Sequence, residues 1–329
     1  MIEKLNRFSD YINPVIEAFL TEKEPIENLT DGVFYSIEAG GKKIRPFLCY
    51  EVCRHLRGDV DKVVPFAAVM EIMHNWILIH DDIQDGDTFR RNKPTIWAKY
   101  GVPHAINIGD FLQNKVYQIT IEEGKKILDN TKILKILNLI SETIIYTTQG
   151  QALDINLRND DSPTLEKYIR SVMLKAGYYL ACPMIVGAIV ADADDSIIET
   201  ITHFGKYIGP AFQIRDDLID LTTGKGRNYV IGNDIREGKR TLIVIHTLSN
   251  CSQKEKQSLI NILNKDRSEV IREEVDWTIE LFKKSSSIDY AENYAQSLIE
   301  KAKNETGSLP SDLSAFLKEI AEFMIKRVT

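Results

Sequence analysis

Apolar residues recur every three to four positions along most of the chain, and glycine or proline interrupts this pattern only at intervals. Such spacing is typical of amphipathic helices, whereas strands alternate strictly between apolar and polar residues. The isoleucines, although abundant, follow the helical spacing. No repeat of about 20 to 50 residues is visible, which argues against a solenoid. The pattern predicts an all-α protein, a single large helical bundle that forms one domain over residues 1–329.

Several helix boundaries follow from start signals in the sequence. Pro65 suits a first helical position, and the apolar pattern then continues without a breaker through "FAAVMEIMHNWILIHDDIQD". Ser252 and Glu255 have the spacing of a capping box at the start of another helix. Further helices are expected to begin near Pro103, Lys132, Pro163, Ser196 and Pro310.

The most apolar segment, "YYLACPMIVGAIVA", covers Tyr178 to Ala191 and contains 14 residues. A helix needs roughly 20 residues to cross a bilayer, and Pro183 interrupts this run, so we expect a buried core helix. The N-terminal stretch "MIEKLNRFSDYINPVIEAFL" lacks the uninterrupted apolar segment of a secretion signal. These features predict a cytoplasmic protein without stable membrane insertion.

Composition narrows the classes of function. With 43% hydrophobic and 27% charged residues, the chain has the composition of an ordinary soluble globular protein with a sizeable core. Its net charge is −7, from 41 basic and 48 acidic residues, which argues against general nucleic-acid binding. The four cysteines lack the spacing of a metal site and are expected to be reduced, buried thiols: Cys49, Cys53, Cys182 and Cys251.

Two clusters of aspartates stand at the ends of apolar segments, in "LIHDDIQDGDTFRR" and in "FQIRDDLIDL". On a helix, residues four apart differ by about 40° around the axis, so the outer aspartates of each cluster share one face. Carboxylates one turn apart repel each other unless positive charge neutralises them. Their hard oxygens suit Mg²⁺, which keeps several waters and is commonly shared with substrate phosphates. The six acids are Asp81, Asp82 and Asp85, and Asp216, Asp217 and Asp220.

A single acidic cluster of this kind is more often a solvated helix end than a site. The second copy, the apolar residues before each cluster and the basic residues around them favour a site here. An EF-hand is excluded, because Ile83 and Asn92 would occupy its third and twelfth ligand positions. A carboxylate pair for acid–base chemistry would leave most of the six acids unexplained. A polyphosphate bridged by metal ions accounts for both clusters.

Basic residues accompany the clusters. Lys175 lies within an apolar helical pattern, where an unpaired ammonium group would be unfavourable. A nucleotide-binding P-loop is excluded, because "GNDIREGKR" has five residues between its glycines and has Arg240 where serine or threonine belongs. The other basic residues are Lys42, Lys43 and Arg45 in "GGKKIRP", Arg90 and Arg91 after the first cluster, and Lys239 in "REGKRT".

Taken in order, these motifs resemble those of the trans-isoprenyl diphosphate synthases. The first acidic motif of that family is similar to "DDIQDGDTFRRNKP", and the second is similar to "GPAFQIRDDLID". "GQALD", Lys175 and "GNDIREGKRT" stand at the family's remaining positions, and the resemblance extends over about 200 residues, from Gly40 to Thr241. It implies the all-α isoprenoid-synthase fold, usually a homodimer, in which the two acidic motifs face each other across a central cavity.

The resemblance also implies roles for individual residues. An allylic diphosphate would be bridged by typically three Mg²⁺ ions to Asp81, Asp85 and Asp216, with Asp82, Asp217 and Asp220 in support. The family's contacts to that diphosphate match Arg90, Lys175 and Lys239. Its isopentenyl diphosphate site matches Lys42, Arg45, His74 and Arg91. Gln151 falls near the substrates, and Gln213 falls near the reacting allylic end.

The reaction that the resemblance implies is a head-to-tail condensation of isopentenyl diphosphate with dimethylallyl, geranyl or farnesyl diphosphate. Metal ions and fixed cations stabilise the charge on the leaving diphosphate, and apolar walls protect the allylic cation from water. Trp76, five residues before Asp81, resembles the aromatic floor of archaeal enzymes that stop at geranylgeranyl diphosphate, with Ile77 and Met73 beside it. Farnesyl diphosphate and products of C25 and above are the alternatives.

Two departures from the family pattern affect the expected contacts. Ala176 stands where many members have a threonine after the lysine. Asn228 and Tyr229 stand where a glycine–lysine pair is common, and Lys225 or Arg227 is a candidate replacement for that lysine. We expect activity to be retained despite both departures.

Two other classes of function remain as alternatives. A class I terpene cyclase shares the fold and the first motif, but it would have Asn at position 216, Ser or Thr at 220 and Glu at 224. This chain has Asp216, Asp220 and Gly224 instead. A non-catalytic partner subunit would usually lose one acidic motif, and both are intact. The sequence therefore favours an active prenyl-elongating enzyme.

Overall fold

Helices form nearly all of the regular structure that the computed structural model describes, over residues 1–222 and 230–325. Within these ranges the strands are β1 (Phe89–Arg90) and β2 (Lys93–Pro94), which pair antiparallel. The predicted all-α fold is confirmed. The helices are α1 (Ile2–Leu20), α2 (Leu29–Glu38), α3 (Ile44–His55), α4 (Val60–Asp85), α5 (Ile96–Tyr100), α6 (Val102–Ile127), α7 (Asn130–Leu157), α8 (Leu165–Val172), α9 (Tyr178–Val190), α10 (Asp195–Asp220), α11 (Asn233–Arg236), α12 (Leu242–Asn250), α13 (Gln253–Leu263), α14 (Arg272–Lys284), α15 (Ser287–Glu305) and α16 (Ser311–Ile325).

The long helix α4 lies within the bundle, because it is apolar on nearly every side. It packs against α1, α3, α6 and α9, and most of its residues from Val63 to Ile79 are buried. Asp59 caps its N-terminus by accepting a hydrogen bond from the backbone N–H of Asp61. Gly86, at φ +67°, ends it in the left-handed conformation that favours glycine. The first acidic cluster is therefore carried by a helix that the core holds in place.

The observed start of α4 differs from the prediction. The helix begins at Val60, so Pro65 is inside it rather than at its first position. The Asp59 cap supplies an earlier start signal, and a proline this close to the N-terminus removes only one hydrogen bond of the first turns. The capping box of Ser252 and Glu255 is confirmed. The other expected starts lie within two residues of those observed, at Val102, Asn130, Leu165, Asp195 and Ser311.

Among the described residues, two helical stretches are long and apolar enough to span a membrane by length and composition, Val60–Asp85 and Leu165–Val190. In both, 72% of the apolar window is buried inside the protein. The second stretch is longer than the apolar run in the sequence, because α8 continues through a π-helical turn into α9. Its Tyr178–Val190 part is the expected core helix, with twelve of its thirteen residues buried. Packing within the bundle thus accounts for both apolar stretches.

The π-helical turn, Met173–Gly177, carries Lys175. Glycines allow the neighbouring helices to approach it closely. A Cβ at Gly150 of α7 would lie 2.3 Å from the backbone nitrogen of Lys175, and one at Gly209 of α10 would lie 2.5 Å from the Cα of Gly177. Turns of this kind within helices are frequent at functional sites. Helices α7 and α10 therefore hold the backbone around Lys175 from two sides.

The cysteines are free thiols. Cys49, Cys53 and Cys182 are buried, as expected, whereas Cys251 is partly exposed after the end of α12. Burial raises the pKa of Cys53 and of Cys182 to about 12. Thiols with so high a pKa carry little reactive thiolate, which indicates a packing role.

Candidate active site

A cavity of about 760 Å³ lies among α3, α4, α7 and α10, and its volume is in the range of small-molecule sites. Its wall gathers residues from both acidic motifs, the "GGKKIRP" loop and the π-helical turn. The residues assigned from the sequence that line it are Lys42, Arg45, His74, Trp76, Ile77, Asp81, Asp85, Arg90, Arg91, Gln151, Lys175, Gln213, Asp216 and Lys239. The fold thus brings residues from six separate segments of the chain to one cavity.

Asp81 lies near the end of α4 and faces this cavity. Lys175 Nζ is 3.6 Å from its Oδ1, and Arg90 Nη2 is 3.4 Å from its Oδ2. The Nε of Arg90 donates a 2.6 Å hydrogen bond to Asp82, which is 4% exposed and is not among the described residues of the cavity wall. Burial outweighs the charge of Arg90 and raises the pKa of Asp82 to about 7. Asp82 thus anchors Arg90 from behind the wall.

Asp85 follows Asp81 by one helical turn and also lines the cavity. It accepts a hydrogen bond from Arg158 at the end of α7, and Lys239 Nζ lies 3.8 Å from its other oxygen. Burial raises the pKa of this carboxyl, but the charges of Lys239, Lys175 and Arg158 outweigh burial and hold the pKa of Asp85 well below its usual range. The repulsion expected between Asp81 and Asp85 is therefore offset by protein cations.

In the second acidic cluster, Asp216 is the aspartate that the described cavity wall contains. Asp217 is 4% exposed and accepts hydrogen bonds from the Tyr168 hydroxyl at 3.0 Å and from Gln213 Nε2 at 2.9 Å. Asp220 is fully buried and accepts one from a backbone N–H of α11 at 2.9 Å. These bonds favour a supporting role for the two buried aspartates. Their direct contact with metal stays a prediction.

Two largely buried lysines, Lys175 and Lys239, connect the first acidic cluster to other carboxylates. Lys175 Nζ lies 3.3 Å from Asp154, in addition to its contact with the first cluster. Burial lowers the pKa of Lys175, but the surrounding carboxylates, Asp154 foremost, outweigh burial and raise the pKa above its usual value. Lys239 Nζ lies 3.2 Å from Asp234 and 2.8 Å from Glu237. Charged ammonium groups held in this way are suited to phosphate oxygens.

The four residues assigned to isopentenyl diphosphate all line the cavity, and His74 links Arg45 to Tyr179. Arg45 Nη1 is 3.2 Å from His74 Nε2, and its guanidinium lies 4.2 Å from the centre of the Tyr179 ring. Because a guanidinium only donates, Nε2 accepts this bond, and Nδ1–H donates to the Tyr179 hydroxyl at 2.7 Å. Burial and the charge of Arg45 lower the pKa of His74 well below its usual value. The neutral ring therefore orients Arg45 and Tyr179.

Gly41 provides the space in which Arg91 joins this group. A Cβ at Gly41 would lie 2.7 Å from Arg91 Nη2, and the glycine has φ +133°. Beside them, a buried ion pair joins Lys43 Nζ to Glu71 Oε1 at 3.0 Å, with the two side chains 1% and 2% exposed. A fully buried pair adds little net stability, but breaking it leaves an uncompensated charge. It therefore ties the "GGKKIRP" loop to α4.

Gln151 of α7 gives the most direct indication of a polar ligand. Its side chain is 9% exposed and lines the cavity. Among the residues that the structure describes, neither its Oε1 nor its Nε2 has a hydrogen-bond partner. Buried polar groups in native proteins nearly always have one. Both atoms are therefore available to a substrate or to ordered water.

The acidic residues fit a divalent metal whose coordination the substrate completes. Within residues 1–222 and 230–325, no group of three or more His, Cys, Asp or Glu side chains is arranged to hold a metal by itself. Asp81, Asp85 and Asp216 nevertheless present hard oxygens to one cavity. Mg²⁺ commonly takes one or two carboxylates and draws its remaining ligands from water and phosphate. The donor set suits that mode of binding.

Trp76 contributes to the cavity wall on the N-terminal side of the first acidic cluster. It is 5% exposed, and its indole N–H donates to His80 Nδ1 at 3.3 Å. Ile77 also lines the cavity. Met73 is fully buried and is not among the described residues of the wall. The hydrogen bond to His80 holds the indole in one orientation, as a fixed floor would require.

Arg158, Tyr179 and His80 also contact residues of this site, although the sequence did not point to them. Arg158 follows Asp154 by four residues, and Tyr179 follows Lys175 by four, so each pair shares a helical face. These spacings were the available signals, but such pairs are common on solvated helices. His80 had no signal beyond its position beside Asp81.

Five positions after α10 that the sequence singled out lie outside the described residues: Gly224, Lys225, Arg227, Asn228 and Tyr229. A replacement for the family's lysine at one of these positions therefore stays a prediction. Ala176 does line the cavity, beside Lys175. Its methyl group stands where many members of the family carry a threonine hydroxyl.

Known proteins are similar to this chain in both sequence and architecture. Residues 26–281 match the profile of the polyprenyl synthetase family. The chain is 34% identical to the short chain isoprenyl diphosphate synthase of Methanocaldococcus jannaschii, over 96% of this chain and 94% of that one. It is 33% identical to the geranylgeranyl diphosphate synthase of Saccharolobus solfataricus, over 97% of each chain.

The crystal structure of geranylgeranyl pyrophosphate synthetase from Pyrococcus horikoshii Ot3 superposes with a TM-score of 0.88. The two chains are 32% identical, and the superposition covers 99% of this chain and 98% of that one. The agreement extends over the whole helical bundle and includes the helices that carry the aspartates. The chain therefore belongs to the polyprenyl synthetase family and is a trans-prenyltransferase of the short-chain isoprenyl diphosphate synthase type.

Proposed function

We propose that this enzyme condenses isopentenyl diphosphate head-to-tail with an allylic diphosphate, uses Mg²⁺ as its divalent metal and makes mainly geranylgeranyl diphosphate. One observation carries the proposal most directly: aspartates of both acidic clusters and two groups of cations face a single cavity. The first group adjoins the aspartates and comprises Arg90, Lys175 and Lys239. The second comprises Lys42, Arg45 and Arg91, which line the same cavity, with Arg45 bonded to His74. Two groups of cations match the two diphosphates of one reaction.

Charge is the main contribution of the wall to breaking the allylic C–O bond. When bound, Mg²⁺ ions, typically three, neutralise the negative charge that develops on the leaving diphosphate. Asp81, Asp85 and Asp216 would hold these ions. The Lys175 ammonium and the Arg90 guanidinium would donate hydrogen bonds to the same phosphate oxygens. Because the Lys175 side chain is only 19% exposed, water screens its interaction with the diphosphate less than it would at the protein surface.

The remaining wall protects and orients the reacting ends. Ile77, Ile144 and Phe212 line the cavity with apolar surface, which keeps water from the allylic cation. Gln213 also lines it, and its amide N–H is held by Asp217, so its orientation is set before substrate binds. The double bond of isopentenyl diphosphate attacks the allylic carbon, and the proton lost from the adduct passes to the released diphosphate. Holding both substrates in this geometry supplies much of the acceleration.

The product is measured by incubating purified protein with Mg²⁺, isopentenyl diphosphate and one primer at a time: dimethylallyl, geranyl or farnesyl diphosphate. We expect geranylgeranyl diphosphate as the main product from each, because Trp76 limits the length of the chain. Reversed-phase chromatography of the dephosphorylated products identifies it. A cyclic hydrocarbon would indicate a terpene cyclase, and no turnover with any primer would indicate a non-catalytic subunit. A main product of C15, or of C25 and above, would overturn the proposed chain length alone.

Arg91→Ala tests the division of the cations between the two substrates. We expect the KM for isopentenyl diphosphate to rise about 10- to 100-fold, since a hydrogen bond to a charged group contributes about 1.5–3 kcal/mol. The KM for the allylic primer should change little. Arg57→Ala is the matched control, because Arg57 is exposed and shares the left-handed backbone, at φ +61° against +54° for Arg91. Equal increases in both KM values would contradict the division.

We also propose that the enzyme is a cytoplasmic homodimer whose protomer is one domain. Exposed apolar side chains on neighbouring helices support a partner: Val102 and Ile106 on α6 are 41% and 43% exposed, and Leu134 and Ile145 on α7 are 66% and 51% exposed. The free thiols suit a reducing compartment. Analytical ultracentrifugation tests the assembly, and a monomer at micromolar concentration would contradict it.

A further inference from the structure

Arg267 lies far along the chain from every motif that identifies the family, yet it contacts the first acidic motif. It begins a short 3₁₀ turn, Arg267–Glu269, in the connection between α13 and α14. Its Nη1 donates to the backbone carbonyl of Asp85 at 2.7 Å, and its Nη2 donates to Asp87 Oδ1 at 3.0 Å. A single guanidinium thus contacts the end of α4 and the turn that follows it.

The same guanidinium contacts the segment that carries Lys239. Nη2 lies 3.3 Å from Asn233 Oδ1, and Nη1 lies 3.7 Å from Glu237 Oε1. Glu237 in turn lies 2.8 Å from Lys239 Nζ, which is 3.8 Å from Asp85 Oδ2. Arg267 therefore joins two cavity-lining residues, Asp85 and Lys239, from outside the cavity.

The physical demands at both contacts favour an arginine. The carbonyl of Asp85 is among the last of α4, which have no partner within the helix and carry the negative end of its dipole. Asp87 is 1% exposed, and a carboxylate so buried requires a cation or donors. The planar guanidinium can meet several acceptors at once in a fixed geometry, whereas an ammonium group cannot orient them in that way.

We propose that Arg267 is a positioning residue that clamps the end of α4 to the segment before Lys239, and thereby sets Asp85 and Lys239 for a metal-bound diphosphate. The inference rests on the proposed function of this cavity. It gives the connection between α13 and α14 a role in the active site, although the residue itself touches no substrate.

The test compares Arg267→Met, Arg267→Lys and Asp87→Asn with the wild-type protein. The primary readout is the rise in melting temperature produced by Mg²⁺ together with inorganic pyrophosphate, measured over a range of pyrophosphate concentrations. For Arg267→Met we expect about tenfold more pyrophosphate for the half-maximal rise, the equivalent of one charged hydrogen bond. Arg267→Lys should recover part of this loss. In steady-state kinetics, kcat should fall while the KM for isopentenyl diphosphate stays within about twofold.

Arg272→Met is the matched control. Arg272 opens α14 five residues further on, its side chain is 81% exposed, and it pairs with the exposed side chain of Asp276. It should leave the pyrophosphate dependence unchanged. In the double variant Arg267→Met, Asp87→Asn, the change in pyrophosphate dependence should be smaller than the sum of the changes in the two single variants, because both substitutions remove the same contact.

The experiment distinguishes an incorrect role for Arg267 from an incorrect proposed function of the cavity. If Mg²⁺ and pyrophosphate do not stabilise even the wild-type protein, the assignment of the cavity is wrong. If they stabilise it and Arg267→Met has the same pyrophosphate dependence, the clamp is wrong and the cavity assignment stands. A lower melting temperature in Arg267→Met without any change in that dependence would assign Arg267 a purely structural role and would also overturn the proposal.

Discussion

Asp81→Ala and Asp216→Ala are each expected to lower kcat by at least about 10³-fold. Each variant loses a carboxylate that would hold metal against the leaving diphosphate, from opposite acidic motifs of the same cavity. A loss of about 4 kcal/mol of transition-state stabilisation corresponds to that factor. Turnover at saturating substrates, measured over a range of Mg²⁺ concentrations, provides the comparison.

The Asp81→Ala variant should still fold. From the sequence, the expected reason is that the substitution relieves the repulsion between the carboxylates of Asp81 and Asp85, but the structure gives a different one. In the structure the carboxylate is already paired with cations, and those cations keep other partners when it is removed. Lys175 retains Asp154 at 3.3 Å, and Arg90 retains Asp82 at 2.6 Å. The melting temperature should therefore fall by only a few degrees, about 1 kcal/mol of stability for a chain of this size.

Asp195→Ala is the control for general loss of a negative charge. Asp195 lies in the first turn of α10, the helix that carries Asp216, and its side chain is 94% exposed. Its removal should leave kcat unchanged. Near-normal turnover in Asp81→Ala or Asp216→Ala, with Mg²⁺ limiting, would rule out the metal-bridged diphosphate.

Trp76→Ala is expected to change the identity of the main product, from geranylgeranyl diphosphate to chains of C25 and longer. Trp76 lies five residues before Asp81, about 7.5 Å along the axis of α4 at about 1.5 Å per residue. The hydrogen bond to His80 fixes the indole in the cavity wall. Replacing the indole with a methyl group therefore opens the space that it fills. Met73, about 4.5 Å further along the same helix, is then the next barrier.

The complementary change, Ile77→Phe, should shorten the main product toward C15, because it adds a bulky ring to the cavity wall one turn from Asp81. Trp277→Ala is the control, since Trp277 is 37% exposed on the surface of α14. Chromatography of the dephosphorylated products gives the distribution for all three variants. The same distribution in Trp76→Ala, Ile77→Phe and the wild-type protein would remove Trp76 from the control of chain length.

The charged residues of the cavity wall were largely predictable. The helical period places Asp81 and Asp85 on one face without any tertiary information, and the order of the motifs supplied Lys175, Gln213 and Lys239. Both inferences rest on local spacing, because in a helix the spacing between residues fixes the directions in which their side chains point. The start of α4 was wrongly placed at Pro65, because the N-cap at Asp59 depends on a single residue and does not change the apolar periodicity.

The hydrogen bonds of the aspartates were not predictable. Six acids were recognisable, but Asp82, Asp217 and Asp220 are buried with donors that come from other parts of the chain or from neighbouring turns. Tyr179 likewise joins the site because α9 packs beside α4, and Arg158 joins it because the C-terminal end of α7 reaches Asp85. Local spacing carries no information about such pairings.

The sequence by itself determined the all-α class, the helix faces that carry the two acidic motifs and the family to which the chain belongs. These follow from periodicity and from the order of residues along the chain. Only the tertiary structure decided which carboxylates face the cavity, that protein cations offset their charge, and that Arg267 reaches the end of α4. The reason is that burial and ion pairing depend on distances between segments that are far apart in sequence, and those distances exist only once the helices have packed.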